Sequence, residues 1–313
     1  MGKCLVTKLN GTVSNDSILK LGEIRFLTSK SDSINRCYLS FTESTTVKII
    51  NDGHFYNSTT SDLGKNLSLR PQQSTVGTKV SPGSLIQIDN KYALASISFG
   101  TLENKISLAE LKYSPLVFLY AEKDNIEGDI ANLAGRQLDL LAITNNPSVY
   151  GDIAVLKGMP LTTLQIQGTQ VTGDISALKG MALTIVQINK LITGDISNLS
   201  SAKAEEIAGM NLSGDLSALT SETLHHVSSM SVNPFTWKGE RDSSLKILSL
   251  WNIKMNEDVD KMLINQAKCQ TGFKSDSPSW YKTLQIIGTR TSASDAAVQT
   301  LQSKGYTVSI TPA

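Results

Sequence analysis

The sequence predicts two parts: a small β domain, sandwich or open sheet, over residues 1–98, and a repeat solenoid of short parallel strands over residues 99–313. Three observations predict this. Gly-Asp-Ile/Leu recurs at Gly128-Asp129, Gly151-Asp152, Gly173-Asp174, Gly194-Asp195 and Gly214-Asp215, the spacing shortening by one residue at each step. An apolar frame precedes each copy, clearest in "LTTLQIQGTQVTGDISAL", where Leu161, Leu164, Ile166, Val171, Ile175 and Leu178 are the inward positions. A unit this short cannot bury its apolar face alone, so successive units must stack. Third, the first hundred residues carry β-branched, partly alternating runs broken by turn residues, with none of the repeat.

In chain order, "CYLSFTE", "TTVKIIND", "KNLSLRP", "SLIQID" and "ALASISF" read as strands, separated by turns such as "NDG", "SPG" and "DNK". The junction falls near Ser98–Lys105 without a flexible linker, so the β domain is expected to pack on the first repeat. "LENKISLAELKYSP" reads as a short amphipathic cap. The frame then fits Leu116/Leu119/Ala121/Ile126, Leu138/Leu141/Ile143/Val149, Leu183/Val186/Ile188 and Ala204/Ile207/Gly209/Leu212. Alternation in L-x-x-L-x-L marks a short strand, and "SALKGM" and "AVLKGM" turn the chain on the convex side. Degraded copies follow at Leu224/Val227 and Leu245/Leu248/Leu250/Ile253, with a late one at "YKTLQIIGT". Residues 256–270 read as an inserted helix. Residues 294–310 read as a helix from a Ser/Asp cap, stopped at Gly305, and a closing strand.

Composition narrows function. The chain has 313 residues, with 29 basic against 28 acidic side chains and a net charge of +1. That balance gives no electrostatic case for nucleic acid or an anionic membrane. No run approaches the ~20 apolar residues of a membrane helix, so no membrane insertion is expected. The amino terminus "MGKCLVTKLNGTV" lacks a signal peptide's apolar core and cleavage site. Cys4, Cys37 and Cys269 are odd in number and far apart, and indicate neither a disulfide framework nor a zinc site.

The repeated acids pose the sharpest question. A calcium ladder needs several oxygens converging on each ion, and one acid per unit does not supply them. Gly128, Gly151, Gly173, Gly194 and Gly214 read as turn glycines. Asp129, Asp152, Asp174, Asp195 and Asp215 read as acceptors of backbone N–H groups at the next turn. No nucleotide, metallopeptidase, hydrolase or redox motif occurs. The chain has three histidines, His54, His225 and His226. His225 and His226 read as a polar surface pair, with His226 on the concave face. No catalytic residue, cofactor or metal is assigned, and the chain is not expected to be an enzyme.

Binding is expected on the concave face, through Phe118, Tyr120, Thr163, Gln165, Gln167, Ile185, Gln187, Asn189, Met210, His226, Met230 and Trp251. Counting in the frame places Ser249 in the column of Gln165, and Trp251 in the column of Gln167 and Asn189. Exposed aromatic and Met side chains in such an array can anchor a partner. Two alternatives stay open: Phe118 and Tyr120 packed under the β domain, and Trp251 covered by the 256–270 helix. The Gln/Asn/Thr stretch suits sugar hydroxyls or plain solvated surface.

The repeat resembles the leucine-rich repeat family over roughly residues 100–313. Its Gly-x-Ile/Leu-x-x-Leu half is similar to the class with a second short strand, which implies an α/β solenoid with a parallel concave sheet and atypical carboxy-terminal repeats and cap. The opening "MGKCLVTKLNGTV…LGEIRF", followed by "ISLAELKYSPL" and the "GDIS-x-L" units, resembles leucine-rich-repeat proteins of gut Bacteroidales and their tailed, crAss-like phages. That resemblance implies a non-enzymatic virion structural or fibre protein, assembled in the host cytoplasm. Its β domain would anchor it to the particle, with a homo-oligomer possible there. Its solenoid would meet other virion proteins, or a host surface protein or glycan. An intracellular bacterial interaction scaffold is the alternative, and an enzyme with an unrecognised site the third reading.

Overall fold

The computed structural model describes the strand backbones between residues 24 and 99, and residues 102, 104–123, 125–209, 211–229, 233–255, 257–271 and 279–312. Side chains are described from residue 102 onward, except that of Trp280, and for Ile97. Met210, Met230 and His54 lie outside the described residues. The chain divides into two compact units, Met1–Leu138 and Asp139–Ala313.

The first unit holds β1 (Ile24–Leu27), β2 (Asn35–Phe41), β3 (Thr45–Ile50), β4 (Leu67–Leu69), β5 (Thr78–Val80), β6 (Leu85–Ile88), β7 (Leu94–Phe99), β8 (Ile106–Ser107), β9 (Phe118–Ala121) and β10 (Ile126–Asp129). All five runs read as strands in the sequence are strands. β1 and β5 join them, too short to show alternation. β1, β6, β3 and β4 form an antiparallel four-stranded sheet in that order. β2 pairs antiparallel with β5 and β7. β7 then pairs parallel with β9, placing Ser96 opposite Phe118 and Ser98 opposite Tyr120. Here antiparallel pairing gives way to the parallel stacking of the repeats. β8 pairs parallel with β10.

The second unit holds β11 (Leu140–Ala142), β12 (Val149–Asp152), β13 (Thr163–Gln165), β14 (Gln170–Asp174), β15 (Ile185–Gln187), β16 (Ile192–Asp195), β17 (Glu206–Ala208), β18 (Leu212–Asp215), β19 (His226–Ser228), β20 (Phe235–Thr236) and β21 (Ser249–Lys254). After them come α1 (Val259–Lys268), β22 (Thr283–Ile287), α2 (Asp295–Ser303) and β23 (Thr307–Thr311). Two parallel rows result. The odd strands from β11 to β21, continued by β22 and β23, make one, and β12, β14, β16, β18 and β20 make the other. This is a solenoid-like repeat. In one coil Leu161, Leu164, Ile166, Val171, Ile175 and Leu178 all point inward and are buried. Each such side chain stabilises by roughly 1.5–3 kcal/mol, which only stacked neighbours make possible.

Between the second strand and the next coil, the chain turns through 3-10 helices, such as Ile153–Leu156, Ile175–Leu178 and Ile196–Leu199, not α-helices. The reason is the I-x-x-L spacing. Residues three apart eclipse in a 3-10 helix, so Ile175 and Leu178 both reach the core. The α part of the α/β expectation is confined to α1 and α2, after the regular coils.

The shortening of the repeat has one location. From Val149 to Leu161, Val171 to Leu183, Ile192 to Ala204 and Leu212 to Leu224 the count is constant. From Ile143 to Val149, Ile166 to Val171, Ile188 to Ile192 and Gly209 to Leu212, one residue is lost each time. The loss falls wholly in the link between first and second strand. At Gly209 the link is so short that an added Cβ would lie 2.8 Å from Leu212 Cδ1 and 3.3 Å from Ile188 Cγ1. Leu212 fills the inward slot that Ile143, Ile166 and Ile188 fill in earlier coils.

Candidate functional site

The Gly-Asp pairs are turn chemistry in atomic detail. The carboxylates of Asp129, Asp152, Asp174 and Asp195 each accept from the backbone N–H two residues on at 2.8 Å, and that of Asp215 does so at 3.0 Å. The Ser176 hydroxyl and N–H hold the Asp174 carboxyl below the usual range. The acids do not stack on one another. Asp152 stands opposite Thr172, Asp174 opposite Thr193 and Asp195 opposite Ser213. The next acid is therefore two residues further along the strand, about 7 Å, and the row climbs obliquely. Gly151, Gly173, Gly194 and Gly214 have φ of 120, 122, 120 and 106°, and Gly128 has 105°. Among the described residues no three His, Cys, Asp or Glu side chains gather to hold a metal.

The exposed face of the first-strand row carries most of the expected binding residues. Thr163, Ile185 and Glu206 share one register position, and Gln165, Gln187 and Ala208 the next. The two glutamines are engaged. Gln165 Nε2 donates to Gln187 Oε1 and Gln187 Nε2 donates to Glu206 Oε1, both at 2.9 Å. In the first unit, Phe118 and Tyr120 remain 40% and 37% exposed. Burial, and then the hydrogen-bonded Glu122 carboxylate, push the Tyr120 phenol up.

Two expected positions are buried: Asn189 turns inward, and His226 keeps its place in the row, opposite Glu206, but is covered. Asn189 is 3% exposed. Its Nδ2 donates to Val171 O at 2.9 Å, Thr169 Oγ1 at 3.0 Å and Thr169 O at 3.3 Å, and its Oδ1 accepts from Leu191 N at 2.8 Å. It sits in the link after β15, its amide turned inward to satisfy backbone that the turn leaves open. His226 is 4% exposed, so the expected surface pair is half wrong. Tyr281, from the turn before β22, covers both rings, with centroids 4.8 Å from His225 and 5.8 Å from His226. Burial, and then the charge of His225, lower the His226 pKa to about 4, so the ring is neutral at neutral pH.

Trp251 also departs from the counted frame. The register puts Ser249 opposite His226 and Trp251 opposite Ser228. Trp251 thus continues the row of Gln165, Gln187, Ala208 and Ser228, not that of Gln167. The frame has slipped by two residues before β21, since Val227 pairs with Leu250, where the count put Leu248. A β-bulge follows. Between the pairs Leu250–Leu284 and Ile253–Ile286, Trp251 and Asn252 together face one residue of β22. Asn252 takes a left-handed conformation, φ 54°, which asparagine tolerates. Bulges re-aim side chains, and Trp251 is 40% exposed, uncovered by α1.

Beside Trp251 lies a hollow of about 330 Å³. Ala208, Gly209, Ser228 and Ser229 contribute small residues to it, and Gln167 and Asn252 contribute amides. Gly209, beside the short link, and Asn252, at the bulge, both line it. Neither Gly209, Ser228 nor Asn252 was singled out from sequence as a binding residue. The available signal was the extra residue between Leu250 and Ile253. Comparison with family models, curated proteins and solved structures finds no match for the chain.

Proposed function

We propose that the chain is a non-enzymatic virion structural or fibre protein of a tailed phage of gut Bacteroidales, built of leucine-rich repeats of the class with a second short strand. Its amino-terminal strands anchor it to the particle, and its solenoid meets a host surface or a neighbouring virion protein. The observation that carries the binding role is the hollow of about 330 Å³ on the first-strand row, a mainly apolar surface where the exposed Trp251 stands beside small residues and the uncharged side chains of Gln167, Ser228 and Asn252. The reading assigns no catalytic residue; His226, the histidine of this row, lies buried under Tyr281.

Mass spectrometry of purified particles tests the location. The chain is expected at stoichiometric abundance there. Its absence from particles together with abundance in host lysate would refute the virion role in favour of the intracellular scaffold.

A further inference from the structure

We infer that the hollow beside Trp251 binds a neutral hexopyranose unit of a surface glycan. The inference rests on the binding role proposed above and names its ligand class. Three observations carry it. The first is size: about 330 Å³ stands at the low end of ligand pockets, ~300–1,000 Å³, enough for one or two sugar rings. The second is charge. The described lining residues carry none, so an ionic ligand would lose hydration without gaining a counter-charge.

The third is the state of the polar groups. Elsewhere on the face the amides are engaged, Gln165 with Gln187, Gln187 with Glu206, and Asn189 with backbone. Around the hollow, the side chains of Gln167, Ser228 and Asn252 make no hydrogen bond within the described residues. An apolar side chain of a protein partner would bury these amides unsatisfied, at a desolvation cost. A pyranose would not. Its hydroxyls donate and accept, as do an amide and a serine hydroxyl, while its C–H face lies on the flat indole of Trp251. The bulge at Asn252 sets the backbone from which the exposed indole projects beside the hollow.

The test uses the full chain against a panel of neutral oligosaccharides and against intact Bacteroidales cells, untreated, periodate-oxidised or protease-treated. The expected result is cell binding that periodate abolishes, that protease spares, and that a neutral oligosaccharide competes. Trp251→Ala should weaken it at least tenfold and Gln167→Ala severalfold. Tyr150→Ala, an exposed tyrosine of the second row, should leave it unchanged. Gln167→Ala removes an amide that holds no part of the fold, so it remains informative if Trp251→Ala unfolds. Binding that survives periodate and is lost to protease overturns the glycan and leaves the binding role standing. Glycan binding indifferent to both hollow variants overturns this site. No binding to sugars or cells overturns both this inference and the host-binding reading.

Discussion

Replacing Gly214 by alanine should cost more than replacing Gly180, although both have positive φ. Gly180 has φ 81° and an added Cβ would meet nothing within 4 Å. Alanine there carries the left-handed penalty, about 1–2 kcal/mol, partly offset by about 0.4–1 kcal/mol from a stiffer unfolded chain. The net is about 1 kcal/mol. Gly214 has φ 106°, beyond the left-handed basin, and its Cβ would fall 2.1 Å from Asp195 Oδ1 and 2.5 Å from Asp195 Cγ. The carboxylate must leave, and with it the 2.8 Å bond from Ser197 N. Backbone strain of about 1–3 kcal/mol plus a lost cap of about 1 kcal/mol gives about 2–4 kcal/mol, or about 1.5–3 kcal/mol after the same unfolded-chain offset. Urea unfolding with m held constant measures the difference. In an Asp195→Ala background the clash is gone, so Gly214→Ala should cost about 1 kcal/mol less than in the parent. Equal costs for the two glycines, or additive costs for Gly214→Ala and Asp195→Ala, would refute the packing of each turn glycine against the previous coil's acid.

His226 makes stability acid-sensitive. Its folded pKa of about 4 lies below the ordinary 6.5, so the unfolded chain binds the extra proton. Stability is full above pH 6.5 and falls as pH drops toward 4, by on the order of 3 kcal/mol at most. Urea midpoints at pH 5 and 7.5 should differ less in His226→Gln than in the parent, and identical differences would contradict this. Asp260 accepts from Ser294 Oγ at 2.5 Å, Thr291 Oγ1 at 2.7 Å and Thr291 N at 3.0 Å. Burial opposes ionisation, yet these bonds win and hold its carboxyl below the usual range. Asp260→Ala should cost about 1–2 kcal/mol and speed amide exchange across α2; unchanged exchange there would show that Asp260 does not tie α2 to α1.

The regular coils were legible because their inward residues obey two simple periods. Alternation in Leu161, Leu164 and Ile166 marks the strand, and the three-residue step from Ile175 to Leu178 marks the turn. The carboxy-terminal coils were less so. Leu248 and Leu250 fit L-x-L, yet pairing with β19 puts Leu250 where the count puts Leu248, and the bulge then sets Ile253 three residues on. Asn189 looked exposed because alternation was carried past the strand, whereas β15 ends at Gln187 and Asn189 sits in the link, its amide turned inward to the backbone. His226 looked like surface because its cover, Tyr281, is far along the chain. Ser294 has the composition of a helix cap, yet its hydroxyl is spent on Asp260, and the Thr291 hydroxyl accepts from Ala293 N at 3.2 Å at the start of the preceding 3-10 turn.

A link that loses one residue at each of four successive coils, from Ile143–Val149 to Gly209–Leu212, also bears on how the gene can change. Arrays of identical units grow and shrink by recombination, since any unit fits beside any other. Here, deleting the coil of Leu161–Val171 would set the Ile143–Val149 link beside that of Ile188–Ile192, a jump of two residues where the stack is built for one. Duplicating it would break the progression likewise. The shortening stops there: at Gly209–Leu212 the link has already displaced a core side chain, and the next coil, from Ser229 to Phe235, returns to six residues. These four coils are thus ordered, not interchangeable, and their order is written into the loop lengths.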